Sequence, residues 1–286
     1  LADAAYFCAL DGDTVPAPDS VRKLVGVLLH PLSRPVRNAE GTAVVSGFGI
    51  AAPRMDVELS SASANLFTQL ISGSGGAEVY GNASFSLQQD LFGEGIFAGK
   101  GVLDVELFLD LMPDLFPDRA VLSHDVLEGG FLRCAYVSDA AFFDGVPSGI
   151  LPYVRRLHRW IRGDVQNVPE LASYIRTRNG KMRNPLSVRS RLRILDNLRR
   201  ALTLPAVFLL LFAGLFFGTV PFVLALAVLY TPALIYAVSQ AGAPASASAH
   251  FAKPFAPAMQ TFLRCTLDLL YLPYLAVQQT DAVVRA

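Results

Sequence analysis

Little in this chain of 286 residues is paired or one-sided. It has three cysteines, Cys8, Cys134 and Cys265, each alone in an apolar context. An odd number without paired spacing argues against a disulfide framework and fits a reducing compartment. The formal net charge is zero, from 24 Lys and Arg against 24 Asp and Glu. No global field therefore draws the chain to nucleic acid, and none is expected as a partner. Internal repeats are absent, and Trp160 is the only tryptophan. No signal-peptide pattern precedes the strand-like segment that follows Leu1. The expectation is a fragment that has lost sequence at both ends.

What is present is unevenly spread. Between Arg176 and Arg200 there are nine Lys and Arg against one acid, Asp196. Immediately after it, Ala201 to Ala237 is a run of 37 residues without a charge. That is too long for one buried helix. Split at Gly218-Thr219-Val220-Pro221, each half is near the lower end of the roughly 17–25 residues that cross a bilayer. A transmembrane hairpin over 202–239 is expected, with a single kinked span as the alternative. The basic segment 176–201 reads as a juxtamembrane anchor, worth very roughly 1 kcal/mol per basic residue near anionic lipid. It also puts the preceding domain on the cytoplasmic side. An Ala/Pro/Ser-rich linker covers 240–257. The segment 258–286 is apolar but carries Arg264 and Asp268, which fits either a third span or a helix lying at the interface.

The part before the basic run alternates short apolar strands with helical spacings. Ala4–Leu10, Val44–Val57, Gly93–Gly101, Ala120–Ser123 and Tyr136–Val137 read as strands. Asp19–His30, Ala64–Ile71, Val105–Met112, Asp125–Arg133 and Pro152–Arg162 read as helices, and Ser72–Gly81 as a Gly-rich connection. That order predicts an α/β domain over 1–175 with a mixed, mostly parallel sheet.

Four segments carry chemistry. Asp11-Gly12-Asp13 follows an apolar strand, so two carboxylates flank a glycine where a hard divalent ion, Mg²⁺ or Mn²⁺, would find oxygen ligands. A solvated turn would carry the same residues. Asp125 opens a helix after Ser123-His124, with Glu128 one turn on and Gly129-Gly130 beyond. It is either a helix cap or a general base kept ionised by the helix N-terminus. Consecutive side chains diverge, so Ser123-His124-Asp125 is not a nucleophile triad, and His124 reads as a packing residue. In Arg155 to Asp164, helical spacing puts Arg155, Arg159 and Arg162 on one stripe and Arg156 and Trp160 on the next. Guanidinium forks suit diphosphate oxygens, and an indole face suits a sugar ring. A solvated basic helix with an interfacial Trp would look the same. Finally, Asp90, Glu94 and Lys100 lie in a Gly-rich stretch that lets backbone approach a ligand, and they are candidates for acceptor hydroxyls. The spacing is not that of a P-loop.

Taken in order, Leu10-Asp11-Gly12-Asp13-Thr14, His30-Pro31-Leu32-Ser33-Arg34-Pro35, Gln89-Asp90-Leu91-Phe92-Gly93-Glu94-Gly95, Gly99-Lys100-Gly101, Ser123-His124-Asp125-Val126-Leu127-Glu128-Gly129 and Arg156-Leu157-His158-Arg159-Trp160-Ile161-Arg162-Gly163-Asp164 resemble the glycosyltransferase domain of cyclic β-1,2-glucan synthases. Asp268-Leu269-Leu270-Tyr271-Leu272-Pro273 resembles the family's segment after the membrane spans.

The resemblance implies a GT-A-like fold, an inverting and processive transfer of glucose from UDP-glucose into β-1,2-glucan, and a divalent metal. It gives Asp11 and Asp13 to nucleotide and metal, and Asp125 to deprotonation of the acceptor 2-hydroxyl. Arg159 and Trp160 match the Arg-Trp of the QxxRW motif, at the diphosphate and acceptor. Arg156 stands where related polymerases have Gln, and Arg156, Arg159 and Arg162 are assigned to the donor diphosphate. Trp160, Asp90, Glu94 and Lys100 are assigned to the acceptor. Val165 stands where many relatives are expected to have Trp. The implied partners are UDP-glucose, the growing glucan, membrane lipid and missing N- and C-terminal parts of a larger polypeptide. The implied location is the bacterial inner membrane, multi-pass, with the catalytic domain cytoplasmic. A cellulose- or hyaluronan-type synthase, or an inactive glycan-binding membrane fragment, are the alternatives.

Overall fold

The short apolar runs pair into one five-stranded sheet flanked by helices on both faces. The computed structural model describes residues 4–72, 86–115, 124–241 and 256–286. The sheet strands are β1 (Tyr6–Ala9), β2 (Val15–Pro16), β5 (Ile50–Val57), β6 (Gly101–Asp104) and β7 (Cys134–Asp144), in spatial order β1-β6-β5-β7-β2. Two small hairpins stand apart: β3 (Val36–Arg37) with β4 (Val44–Ser46), and β8 (Tyr174–Thr177) with β9 (Gly180–Arg183).

Among the described strands the sheet is mixed, but it is not mostly parallel. There only β5 and β7 run parallel; β1–β6, β6–β5 and β7–β2 are antiparallel. Apolar alternation encodes which face a residue takes and carries no information on strand direction, so the expected parallel majority does not hold.

The β5–β7 register slips between Pro53 and Arg54. Pro53 has no N–H to donate to the ladder, and such a break is where a proline is tolerated within a sheet. The polar Ser138-Asp139 of β7 bulges there. This interruption hides the length of a strand that reads from sequence as Tyr136–Val137 only. The expected strand over Gly93–Gly101 also differs. Residues 94–98 are irregular and β6 begins at Gly101, whose φ of +148° and approach to Ala51 exclude a side chain.

Side chains alternate between two cores. On one face, α1 (Ser20–Leu29) packs Leu24 and Leu28 on Ala51, Met55, Val102 and Phe142. On the other face, Ile50, Ala52, Leu103 and Cys134 meet α5 (Val105–Leu111) and α6 (Asp125–Leu132). Fully buried Phe131 and Leu132 anchor α6 there, each worth roughly 1.5–3 kcal/mol in apolar burial. Asp19 stands at the N-cap of α1, but its side chain makes no capping hydrogen bond. It takes a left-handed φ of 62° and pairs with Arg22 instead. Three short helices, α2 (Leu59–Ala62), α3 (Leu66–Ser72) and α4 (Leu87–Phe92), lie between β5 and β6.

After α7 (Ile150–Gln166) and the β8–β9 hairpin come four helices: α8 (Val188–Phe217), α9 (Thr219–Ala241), α10 (Ala256–Leu270) and α11 (Leu272–Val284). Two of them, α8 and α9 (to Val238), are long and apolar enough to cross a membrane. Their apolar side chains are mostly exposed, Leu209, Phe216, Phe217, Val223, Leu234 and Ile235 among them, a surface that water disfavours. Gly218, at φ +90°, makes the turn between them. The turn is tighter than expected, because Thr219-Val220-Pro221 already forms the first turn of α9, where a proline costs no hydrogen bond.

Helix α8 begins fourteen residues before Leu202, inside the basic run, with Ser187 as its cap. The segment 258–286 holds two helices that meet at Tyr271, and Leu269 and Leu272 join Val207, Ala225 and Leu229 in one apolar spine.

Candidate active site

Strand direction explains why distant residues meet. β1, β5 and β7 all point one way, so their carboxyl ends share one edge of the sheet, the usual place for ligands in α/β folds. Ala9, near the end of β1, stands opposite Gly101, the start of β6. That register brings Asp11 next to Lys100. Val15 stands opposite Phe143, which brings Thr14 to Asp144 at the end of β7, where its hydroxyl donates to Asp144 Oδ1. A pocket of about 290 Å³ opens on this edge, lined by Asp11, Gly12, Asp13, Lys100, Asp144, Arg156, Arg159 and Trp160.

Lys100 is the electrostatic centre. Its side chain is 5% exposed, and its Nζ lies 2.6 Å from Asp144 Oδ2 and 3.3 Å from Asp11 Oδ2. The ammonium is thus committed to carboxylates rather than held out toward a ligand hydroxyl. On the opposite wall, Arg156 Nη2 donates to Asp13 Oδ2 at 3.1 Å, Nη1 donates to the Gly145 carbonyl, and the guanidinium lies 6.0 Å from the Trp160 ring centre.

The pocket-facing arc of α7 is therefore Arg156, Arg159 and Trp160, at i, i+3 and i+4. The expected grouping of Arg155, Arg159 and Arg162 is not what lines it. Arg155 is exposed, and Arg162 lies off the lining with its Nε buried and without a hydrogen-bond partner among the described residues. The buried face of α7, with Leu157, Ile161 and Val165, sets its rotation, which charge spacing alone does not specify.

Asp125 starts α6 after His124, with residues 116–123, and so the expected strand Ala120–Ser123, outside the described set. Its carboxyl group rests on the backbone of Gly99. A Cβ built on Gly99 would fall 2.9 Å from Oδ2, 3.0 Å from Cγ and 3.1 Å from Oδ1. Gly99 sits at φ +82°, so both conformation and space demand glycine. Burial raises the pKa of Asp125, and the charge of Asp11 raises it further; Lys100 and His124 work the other way. Glu128 is pushed up to about 7 by burial and by the charge of Asp125. Asp164 is raised to about 6, chiefly by burial, while its Oδ1 accepts from Asn197 Nδ2 at 2.7 Å.

Two expected contacts fall elsewhere. Asp90 is exposed on α4, away from the pocket lining. Glu94 is buried and faces Arg133 at 3.2 Å and Arg193 at 3.8 Å. Arg193 also donates to Gln88, and Arg189 to the Phe92 carbonyl at 2.7 Å. Together with Arg191, Arg199 and Arg200, which hold Asn184, Asp196 and Asn197, these arginines bind protein, so the basic run is not a uniform lipid anchor. The residue that sequence reading missed is Asp144. An acid followed by Gly145 at the end of an apolar strand repeats the Asp11-Gly12 pattern, and that was the available signal.

Asp11 and Asp13 are the residues that could hold a metal. Among the described residues no cluster of three or more His, Cys, Asp or Glu could hold an ion alone. Two half-exposed carboxylates fit Mg²⁺ or Mn²⁺, ions that keep several positions for phosphate oxygens and water. They do not fit a closed structural site.

No protein-family model matches the chain. Over 198 residues it is 37% identical to the cyclic beta-(1,2)-glucan synthase NdvB of Rhizobium meliloti (strain 1021), a match that takes in 69% of this chain and 7% of that protein. The chain is related to that glucan synthase and spans a small part of its length. The two long apolar helices and this relationship together support association with a membrane.

Proposed function

We propose that this chain, a relative of a glucan synthase, is the sugar-transferring part of a membrane glucosyltransferase with a GT-A-like domain. It moves glucose with inversion from UDP-glucose onto the 2-hydroxyl of a growing β-1,2-glucan. One observation carries the reading: a carboxylate raised in pKa, Asp125, lies against Gly99 beside the Lys100 and Asp11 edge of a pocket whose other wall is Arg156, Arg159 and Trp160.

In this reading the Asp125 carboxylate takes the proton of the acceptor 2-hydroxyl. The hydroxyl oxygen forms a bond to the anomeric carbon as the bond to the diphosphate breaks, and UDP leaves with the electron pair. A base works best when its pKa approaches the working pH, and burial moves Asp125 that way. Arg156 and Arg159 stabilise charge on the departing diphosphate. Trp160 offers a flat face to the acceptor ring.

Bound Mg²⁺ or Mn²⁺ supplies further neutralisation of the leaving group, with Asp11 and Asp13 as its ligands. Arg156, which donates to Asp13 Oδ2 in this structure, is within reach of the same site. Lys100 keeps three neighbouring carboxylates tolerable rather than holding the acceptor. The domain faces the cytoplasm at the bacterial inner membrane, and the rest of a larger polypeptide completes the nucleotide site and handles the product.

The test is UDP release and product linkage in the full polypeptide supplied with UDP-glucose and a divalent metal. Asp125→Asn abolishes transfer and keeps UDP binding; retained turnover rejects the base. A product with other than β-1,2 linkages favours a cellulose- or hyaluronan-type synthase, and an absence of UDP release in the wild type favours an inactive glycan-binding fragment.

A further inference from the structure

Helix α7 works on two sides. Its front arc presents Arg156, Arg159 and Trp160 to the pocket. Its back, Leu157, Ile161 and Val165, packs on Ala201 of α8 and on Ala282 and Val283 of α11. Those contacts are apolar, and several are with alanine. Such a surface resists separation more than rotation. About 10° of rotation moves an atom at a helix's outer radius of about 6 Å by about 1 Å, and misplacement by 1 Å costs about a hundredfold in a transfer reaction.

Directional contacts oppose that rotation: Asp164, near the end of α7, accepts from Asn197 of α8, and His158, between Arg156 and Trp160, bonds across to α11. His158 lies 200° round the helix from Arg156 at 100° per residue. Its Nε2 is 2.9 Å from Asp281 Oδ2 on α11, and Asp281 Oδ1 in turn accepts from Arg285 Nε at 2.8 Å. His158 and Asp281 are 123 positions apart, with both long apolar helices between them. The chain thus passes through α8, α9 and α10 and returns to grip the helix that lines the pocket. Neither residue lines the pocket, so neither is placed to touch substrate.

Resting on the transferase reading, we propose that His158 and Asp281 are positioning residues. Their hydrogen bond holds the rotation of α7 at the turn that carries Arg156 and Trp160 and so aims them at the donor and acceptor.

Two readouts test it. Trp160 is the only tryptophan of this chain, so its fluorescence in the detergent-solubilised chain reports the front of α7 without any turnover. His158→Ala and Asp281→Ala should each change Trp160 emission and raise its quenching by acrylamide, and the double variant should go no further than either. In the full polypeptide each should lower kcat/KM for UDP-glucose about tenfold. His158→Ala should cost less in an Arg156→Ala background than in the wild type, since only the aim of Trp160 is then left to lose. His158→Gln, which keeps a hydrogen-bonding group, should restore both readouts.

Unchanged Trp160 fluorescence, or costs that add in full to those of Arg156→Ala, overturns the proposal. If His158→Ala does not fold, His158→Leu, of similar volume and unable to hydrogen-bond, answers the same question. A Trp160 change in a polypeptide whose wild type transfers no glucose leaves the positioning intact and refutes the transferase reading.

Discussion

Gly99→Ala puts the smallest possible side chain where the structure allows none. Two costs follow, and they can be separated. The first is conformational. At φ +82° an alanine is strained by about 1–2 kcal/mol, which lowers stability wherever the position lies. The second is steric and local. The new methyl would stand 2.9 Å from Asp125 Oδ2, against an ordinary contact of 3.4 Å or more, so the carboxyl or the 99–100 backbone has to yield by about 0.5 Å.

A base displaced by half that classically costly 1 Å should lose roughly ten- to thirtyfold in kcat. Gly93→Ala is the control. Its φ is +67° and nothing lies within 4 Å of a Cβ there, so it carries the strain without the collision. Thermal unfolding in detergent and initial rates of UDP release should show similar losses of Tm for the two variants and a loss of kcat only for Gly99→Ala. Equal activities would refute the placement of Asp125 as a group that reacts.

The acid limb of the pH–rate profile should lie above the ordinary aspartate range, because burial and Asp11 raise Asp125 and a base must be ionised; Asp11→Asn removes one of those pushes and should move the limb to lower pH. Glu128 has a folded pKa of about 7 against 4.5 unfolded, so the native state binds the extra proton between those values. Stability from this group is therefore complete below about pH 4.5 and falls as pH rises to about 7, by an order of 3 kcal/mol. Glu128→Gln should flatten that slope in thermal unfolding followed from pH 5 to 8. Gly214→Val should loosen the α8–α9 hairpin by about 1–3 kcal/mol, since a Cβ there would collide with the Phe222 ring; Tm in detergent measures it.

How far the sequence could be read depends on what kind of signal each feature leaves. The uncharged run after Ala201 is a property of composition, so the two long apolar helices were legible in it. Asp11, Asp13, Arg156, Arg159 and Trp160 each follow or lie on a recognisable element, and the structure brings all five to one pocket. Strand direction leaves no local trace, and the described strands hold one parallel pair rather than a parallel majority.

Asp144 was hidden because the bulge opposite Pro53 interrupts the pattern of β7 and masks where that strand ends. Glu94 and Lys100 read from sequence as candidates for acceptor hydroxyls in a glycine-rich stretch. Their guanidinium and carboxylate partners come from positions 39 or more residues away, and only the folded chain supplies them. Arg162 was assigned by charge spacing, while the rotation of α7 is decided by its apolar back.

Helix α8 is continuous from Val188 to Phe217, from beside α6 to the far end of the apolar bundle. The stretch between Val188 and Ala201 rises about 20 Å. Where a tether of loop residues would let a headpiece swing over the lipid, this one acts as a strut. It sets the height and tilt at which sugar would be joined, so a bilayer that grips the greasy end also decides where the mouth of the cleft stands.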